Sequence, residues 1–79
     1  MIDIYQTNNL NLAAFLYASN LKFLGAVKNN HEFIFKFSQK EEAEKLINDY
    51  FMGTAMVNPK ELFSRLNDLR DFIFNKANF

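Results

Sequence analysis

The sequence predicts an α+β domain with the element order β-α-β-β-α-α, a small antiparallel sheet and helices packed on one face of that sheet. Three observations predict this class. Two runs typical of strands, 21–28 and 31–38, meet at a pair of asparagines. Three other segments repeat apolar residues at helical spacing. The length of 79 residues fits a single domain, 1–79.

The composition limits the functions that the chain can have. Nine Lys and Arg balance nine Asp and Glu, so the formal net charge is +0, whereas proteins dedicated to phosphate backbones carry an excess of Lys and Arg. The chain has no cysteine, which excludes disulfides and thiolate ligands. We find neither a leader pattern nor the roughly 18 apolar residues that a membrane span needs. We therefore expect a cytoplasmic protein without membrane contact.

The first two elements follow from alternation and capping. Ile2 and Ile4 alternate with Asp3 and Tyr5, which predicts a short strand. The polar residues at 7–9 then supply side-chain oxygens that can cap a helix. We expect helix one from about Asn9 to Ser19, and its apolar character nearly all round predicts cover on more than one face.

A hairpin through Asn29 and Asn30 is expected next, because asparagine tolerates the positive φ of tight turns. Its register has two alternatives. A two-residue loop sets the phenylalanines of 31–38 beside Lys22, Leu24 and Ala26, whereas a longer loop or a bulge at Gly25 sets them beside Phe23 and Val27. We prefer the second, which leaves an outer face formed by Lys22, Leu24, Lys28, Glu32, Ile34 and Lys36.

Capping patterns predict the two remaining helices. Ser38 and Glu41 form a capping box, so helix two should run from about Gln39 to Met52, with Gly53 as its C-cap. Asn58 caps helix three, from about Pro59 to Lys76. The buried stripe of helix two is expected to be Ala43, Leu46, Ile47, Tyr50 and Phe51; the seam of helix three is expected to be Leu62, Leu66, Leu69 and Ile73.

Three stretches are similar to a known family: "LNLAAFL" at 10–16, "FKFS" at 35–38 and "YFMGTAMVNPKELF" at 50–63. In this order they resemble small uncharacterised domains encoded in bacterial and bacteriophage genomes. The resemblance covers the chain from Thr7 to about Phe74. Asn58 stands where the family pattern more often has aspartate. The family has no assigned activity, so the resemblance implies no catalytic residues and only a phage or prophage setting.

The side chains that could carry chemistry have simpler interpretations. His31 is the only histidine and falls at the hairpin turn. Glu41, Glu42 and Glu44 fit the solvated first turns of a helix, where negative charge is favourable. We predict no catalytic, cofactor-binding or metal-binding residues, and we expect a protein that is not an enzyme.

The alternating rings Phe33, Phe35 and Phe37 could stack bases, as in RNA-recognition sheets, or could form the core. We expect the core, because the strands offer few other large apolar residues for the helices to pack on.

Two surfaces are candidates for binding. Helix three carries more aromatic residues than its seam needs, which predicts a homodimer interface at Leu69, Phe72, Phe74 and Phe79. The outer hairpin face could bind an unknown protein partner or, with weaker support, nucleic acid, through Lys22, Leu24, Lys28, Ile34 and Lys36. We therefore expect a self-associating interaction domain, an accessory protein of a phage or mobile element. The alternative is a nucleic-acid-binding module.

Overall fold

The computed structural model describes the chain from residue 3 to residue 77, and the side chains from residue 3 to residue 75. The predicted element order is confirmed. It runs β1 (Ile4–Thr7), α1 (Leu10–Ala18), β2 (Phe23–Asn29), β3 (Glu32–Ser38), α2 (Lys40–Met52) and α3 (Pro59–Ala77). Ile2, assigned to the first strand by its alternation, lies outside the described residues.

The sheet is antiparallel with the strand order β1-β3-β2, so β3 is central. The side chains of Phe35 and Phe37 on β3 are 1% and 0% exposed. Phe33 is half-buried against the same core. The rings therefore form the floor on which the helices pack, as the sequence indicated.

The hairpin register combines the two alternatives. The turn consists of Asn30 and His31, because Asn29 pairs with Glu32, and Asn30 has φ 59°. A bulge between Phe23 and Gly25 then shifts the pairing so that Phe23 lies opposite Phe37. The preference for a bulge at Gly25 was right, and so was the neighbour Phe23. Val27 was placed wrongly: it pairs with Ile34 on the opposite face.

Helix α1 is the centre of the helical layer. All side chains from Leu12 to Leu16 are buried, which confirms the expected cover on more than one face. The helix packs most extensively against α3. Its N-cap is Asn9, whose Oδ1 accepts a hydrogen bond from the N–H of Leu12 at 3.0 Å.

The beginning of α2 differs from the capping box that the sequence suggested. Ser38 is the last residue of β3, and the N-cap is Gln39, in a left-handed conformation with φ 60° and without a side-chain capping bond. Pairing Ser38 with Ile4 in the sheet keeps it out of the cap position. The other predicted boundaries hold: Gly53 ends α2 with φ 77°, and Asn58 Oδ1 accepts from the N–H of Lys60 at 2.9 Å.

Substituting the two glycines tests the backbone conformations assigned to the bulge and to the end of α2. Gly25 has φ +116° and Gly53 has φ +77°, and a Cβ at either position would meet no atom within 4 Å. The cost of adding a methyl group is therefore a backbone cost. We expect Gly25→Ala to lower the free energy of unfolding by about 1–3 kcal/mol, because its φ belongs to a region that only glycine populates readily. For Gly53→Ala, in the ordinary left-handed region, we expect about 1 kcal/mol.

Urea denaturation followed by circular dichroism measures both values. The bulge assignment predicts the larger loss at Gly25, so an equal or smaller loss there than at Gly53 would contradict it.

Candidate functional site

An apolar cleft lies between α1, the end of α2 and the beginning of α3. Its volume is about 210 Å³. The side chains that line it are almost all apolar, and its polar groups are the Asn11 amide and the Tyr50 hydroxyl. The lining residues are Asn11, Ala14, Phe15, Tyr50, Leu62, Phe63 and Leu66.

Tyr50 forms one wall of the cleft because α2 is anchored through its first part. Ala43 is fully buried, and Leu46 and Ile47 are half-buried. The last turn continues past this contact. There the Tyr50 ring packs on Phe15, with ring centroids 5.1 Å apart, and on Phe51, at 5.5 Å and nearly perpendicular. Such tilted and edge-to-face pairs are the favoured aromatic geometries.

Large apolar side chains are exposed where α2 passes into α3, and two of them, Tyr50 and Phe63, line the cleft. We call this surface the α2–α3 corner. Tyr50 is 44% exposed, Phe51 75%, Met52 71%, Met56 95% and Phe63 64%. The sequence placed Phe51 on the buried stripe of α2, which is wrong, because in the last turn of that helix it is the neighbouring Tyr50 whose ring packs on the buried Phe15. The signal was present, since Tyr50, Phe51 and Met52 are consecutive and cannot all share one helix face.

The residues of the predicted interface on α3 do not form one exposed surface. Leu69 is 1% exposed and belongs to the core, so it cannot contribute to a surface of the folded chain. Phe72 is half-buried, and its ring packs edge-on against Phe23 at 5.4 Å. Phe74 is 68% exposed. Phe79 lies outside the described residues.

The side of α3 next to Phe72 is also covered. The Arg65 guanidinium lies 4.4 Å from the centre of the Tyr17 ring and forms ion pairs with Glu61 and Asp68, at 3.2 and 3.4 Å. A cation over an aromatic ring adds about 0.5–1 kcal/mol at a site of this kind, which fixes this side of α3 against α1.

The proposed lysine face of the hairpin is not one surface. Lys36 lies opposite Gly25 on the outer face, whereas Lys28 pairs with Phe33 and so belongs to the face that carries the helices. Lys22 precedes β2, and its carbonyl accepts a hydrogen bond from the N–H of Ser38. The prediction that placed Lys28 on the outer face is wrong, because the turn has two residues and the bulge that shifts the register lies beyond Lys28, at Phe23 and Gly25. Nucleic-acid binding by this face stays a prediction.

The outer face of the sheet is instead partly aliphatic. Leu24 is exposed at the bulge, and Val27 pairs with the half-buried Ile34. Ile4 extends the same face on β1, where it pairs with Ser38. No helix covers these side chains within the part of the chain that the structure describes. Leu24 and Ile34 therefore lie where the sequence placed them.

Among the described residues, no carboxylate, imidazole or ammonium group lines the cleft. Burial raises the pKa of the Tyr5 phenol, and the nearby Glu44 carboxylate raises it further, so this hydroxyl stays protonated at neutral pH. His31 is exposed in the turn between β2 and β3. Among residues 3–75, no three His, Asp or Glu side chains come together in an arrangement that could hold a metal ion.

None of the helices in the described part of the chain has the length and apolar content to cross a membrane.

The chain matches one family model. The match is to a domain of unknown function, DUF5659, and covers residues 3–75. It includes every strand and the cleft. No match was found among curated proteins or among solved structures. Because the family model covers nearly the whole chain, the protein belongs to the DUF5659 family of domains of unknown function.

Proposed function

We propose that the domain is a non-enzymatic interaction domain that binds another protein by receiving an apolar side chain of that partner in the cleft between α1, α2 and α3. The observation that carries the proposal is the combination of a small apolar cleft with an exposed apolar rim, the α2–α3 corner. Exposed apolar surface next to a concave site is typical of protein interfaces.

The size of the cleft favours a side chain over a free small molecule. Ligand pockets generally occupy about 300–1,000 Å³ and enclose most of the ligand. The cleft holds only about 210 Å³. A single aromatic or branched aliphatic side chain suits this volume, and such anchors in desolvated pockets dominate the energetics of many interfaces.

The rim suits a polypeptide partner. Met52 and Met56 are among its most exposed members, and methionine side chains adapt their shape to different partner surfaces. Because residues of both α2 and α3 line the cleft, the partner segment we expect is an amphipathic helix that inserts one apolar residue there.

The non-enzymatic part of the proposal is supported by the chemistry of the lining. In the part of the chain that the structure describes, the residues that line the cleft include an amide, Asn11, and a phenol, Tyr50, but no carboxylate, imidazole or ammonium group. General acid–base catalysis needs a group that changes protonation near the working pH, and nucleophilic catalysis needs an activating base. The lining supplies neither.

A phage or mobile-element setting is part of the proposal and is supported by the sequence resemblance alone. We expect genes for phage structural, replication or regulatory proteins to flank the gene of this protein. Consistent location among housekeeping genes in several genomes would contradict this part and would leave the cleft proposal intact.

A peptide-display selection against the whole domain tests the cleft. We expect the selected peptides to share an aromatic or aliphatic anchor. Their affinity, measured by fluorescence anisotropy, should fall about tenfold or more in Phe63→Ser, because truncating an interface anchor commonly costs over about 1.4 kcal/mol.

Phe74→Ser is the matched control. It removes the same residue type from the same helix at a similar exposure, 68% against 64%, but outside the cleft. Peptide affinity should stay within about twofold of the wild type. Equal losses in the two variants, or a selection that yields no binding peptide, would refute the cleft as the binding site.

A further inference from the structure

The outer sheet face, the side of the sheet turned away from the helices, combines aliphatic side chains with two lysines. Lys36 lies on the central strand β3, opposite Gly25. Lys22 directly precedes Phe23, whose ring packs on the helix side, and its carbonyl accepts a hydrogen bond from the N–H of Ser38. Because side chains alternate along an extended strand, Lys22 also belongs to the outer face. The aliphatic members are Ile4, Leu24, Val27 and Ile34.

The ammonium groups of these two lysines have no carboxylate partner within the domain. Among residues 3–75, the ion pairs are formed by Arg65. Glu32 begins β3, but its carboxylate accepts a hydrogen bond from the Asn8 amide at 3.2 Å. Its Cα lies about 13 Å along the strand from that of Lys36. The centre of the outer sheet face is therefore an uncompensated positive charge surrounded by aliphatic side chains.

The dimensions of the outer sheet face suit one helix. Its three strands, spaced by about 4.8 Å, put the axes of the two edge strands about 10 Å apart, which is close to the diameter of an α-helix. Strands β2 and β3 are seven residues long, or about 24 Å, which is slightly more than four helical turns. The opposite face of the same sheet already carries helices.

We propose that the outer sheet face binds an amphipathic helix of another protein, whose apolar stripe is flanked by glutamate or aspartate. The aliphatic side chains contact the stripe, and the ammonium groups of Lys22 and Lys36 donate to carboxylates beside it. Hydrogen bonds between charged groups are the stronger kind. The partner is thus defined by two properties of the face, its aliphatic surface and its positive centre.

The charge of the face argues against other occupants. Two copies of the domain packed face to face through this surface would bring the same two lysines of each copy together, which like charges oppose. Nucleic acid would need more phosphate contacts and, for single strands, exposed aromatic rings on which bases stack. The rings of Phe35 and Phe37 are buried in the core instead.

The proposal goes beyond the cleft and does not depend on it. The cleft is lined by residues of the three helices, which pack on the inner face of the sheet, so the two surfaces lie on opposite sides of that sheet. A single helix on three strands is a contact at the small end of interface sizes. We therefore expect a dissociation constant on the order of 100 μM at low salt.

Nuclear magnetic resonance titration of the isotopically labelled full chain tests the surface and its charge preference together. The probes are two capped peptides of about 18 residues with the same leucine stripe at helical spacing. Glutamates flank the stripe in one peptide and lysines in the other. We expect the glutamate peptide to shift the amide signals of Val27, Ile34 and Lys36, and the lysine peptide to bind at least about tenfold more weakly.

Three results of this titration would overturn the proposal. One is equal affinity for the two peptides. Another is the absence of binding of the glutamate peptide at about 1 mM, tenfold above the expected constant. The third is a set of shifts confined to residues of the cleft, such as Phe63 and Leu66.

Charge reversal assigns the binding to individual lysines. Lys36→Glu and Lys22→Glu should each raise the dissociation constant of the glutamate peptide about fivefold or more, because an attraction becomes a repulsion. Lys22 is exposed, so its variant keeps the test valid should the change on the central strand impair folding. Lys28→Glu is the matched control, since it makes the same change in the same hairpin on the helix side.

The control should stay within about twofold of the wild type. Equal losses in all three variants would indicate an effect of net charge alone and would overturn the proposal. A short single-stranded DNA that bound more tightly than the glutamate peptide, and lost its binding in the same two variants, would assign the face to nucleic acid instead. Phe63→Ser, which tests the cleft, should leave the affinity for the glutamate peptide within about twofold, so the two proposals fail separately.

Discussion

Phe37→Ala is expected to lower the free energy of unfolding by about 3–5 kcal/mol, because deleting a buried ring removes its transfer free energy and leaves a cavity. Phe37 is fully buried on the central strand and contacts the Phe23 ring, with centroids 5.4 Å apart. For 79 residues the total free energy of unfolding is about 4–12 kcal/mol, so much of this variant should be unfolded at 37 °C.

Urea denaturation at low protein concentration measures the loss without a contribution from dimerisation. The matched control is Phe51→Ala, which removes the same ring from a position that is 75% exposed. Its effect should stay within about 0.5 kcal/mol. A loss below about 1 kcal/mol at Phe37 would mean that the rings of β3 are not the core and would reopen the stacking interpretation.

Leu69→Ala is expected to cost about 2–5 kcal/mol, the range for truncating a buried leucine. Leu69 is the most buried residue of the α3 seam, and α3 is the principal partner of α1. The same truncation at a homodimer interface would instead change the dissociation constant and leave the monomer stable. The measurement therefore distinguishes the core assignment of Leu69 from the interface that the sequence suggested.

Chemical denaturation gives the stability of the variant, and ultracentrifugation of the folded protein gives its association. Met56→Ala, at 95% exposure, is the control of similar size and should change the stability by less than about 0.5 kcal/mol. Should Leu69→Ala prove as stable as Met56→Ala, the packing of α3 on α1 would be contradicted.

Local signals in the sequence were sufficient for the order and most of the boundaries of the elements. Asn9 and Asn58 cap their helices through their side chains, and Gly53 ends α2, each as its residue type indicates. These signals work because a cap satisfies backbone groups only a few residues away. No distant part of the chain has to be known.

The same reasoning failed at Ser38, where two local patterns compete. Its spacing from Glu41 suits a capping box, but its place in "FKFS" also suits the end of a strand. Pairing with Ile4 on β1 decides in favour of the strand. Gln39 then takes the cap position in a left-handed conformation that its residue type does not favour. The decision thus came from Ile4, 34 residues earlier in the sequence.

The surfaces were harder to predict than the core. Alternation placed Phe33, Phe35 and Phe37 on the helix side, but the length of the turn and the place of the bulge at Gly25 set which lysine shares that face. A shift of one residue moved Lys28 from the outer face to the inner one. The cleft could not be predicted from the sequence, because it forms only where α1, the end of α2 and the beginning of α3 come together.

The amino-acid sequence was sufficient for the α+β order of elements, the caps at Asn9, Gly53 and Asn58 and the rings that form the core, since each depends on residues close together in the chain. Long-range packing decided that Leu69 is core and that Phe51 is surface. Periodicity shows which residues share a helix face. Which faces are covered depends on where the other elements pack, and that follows from long-range contacts.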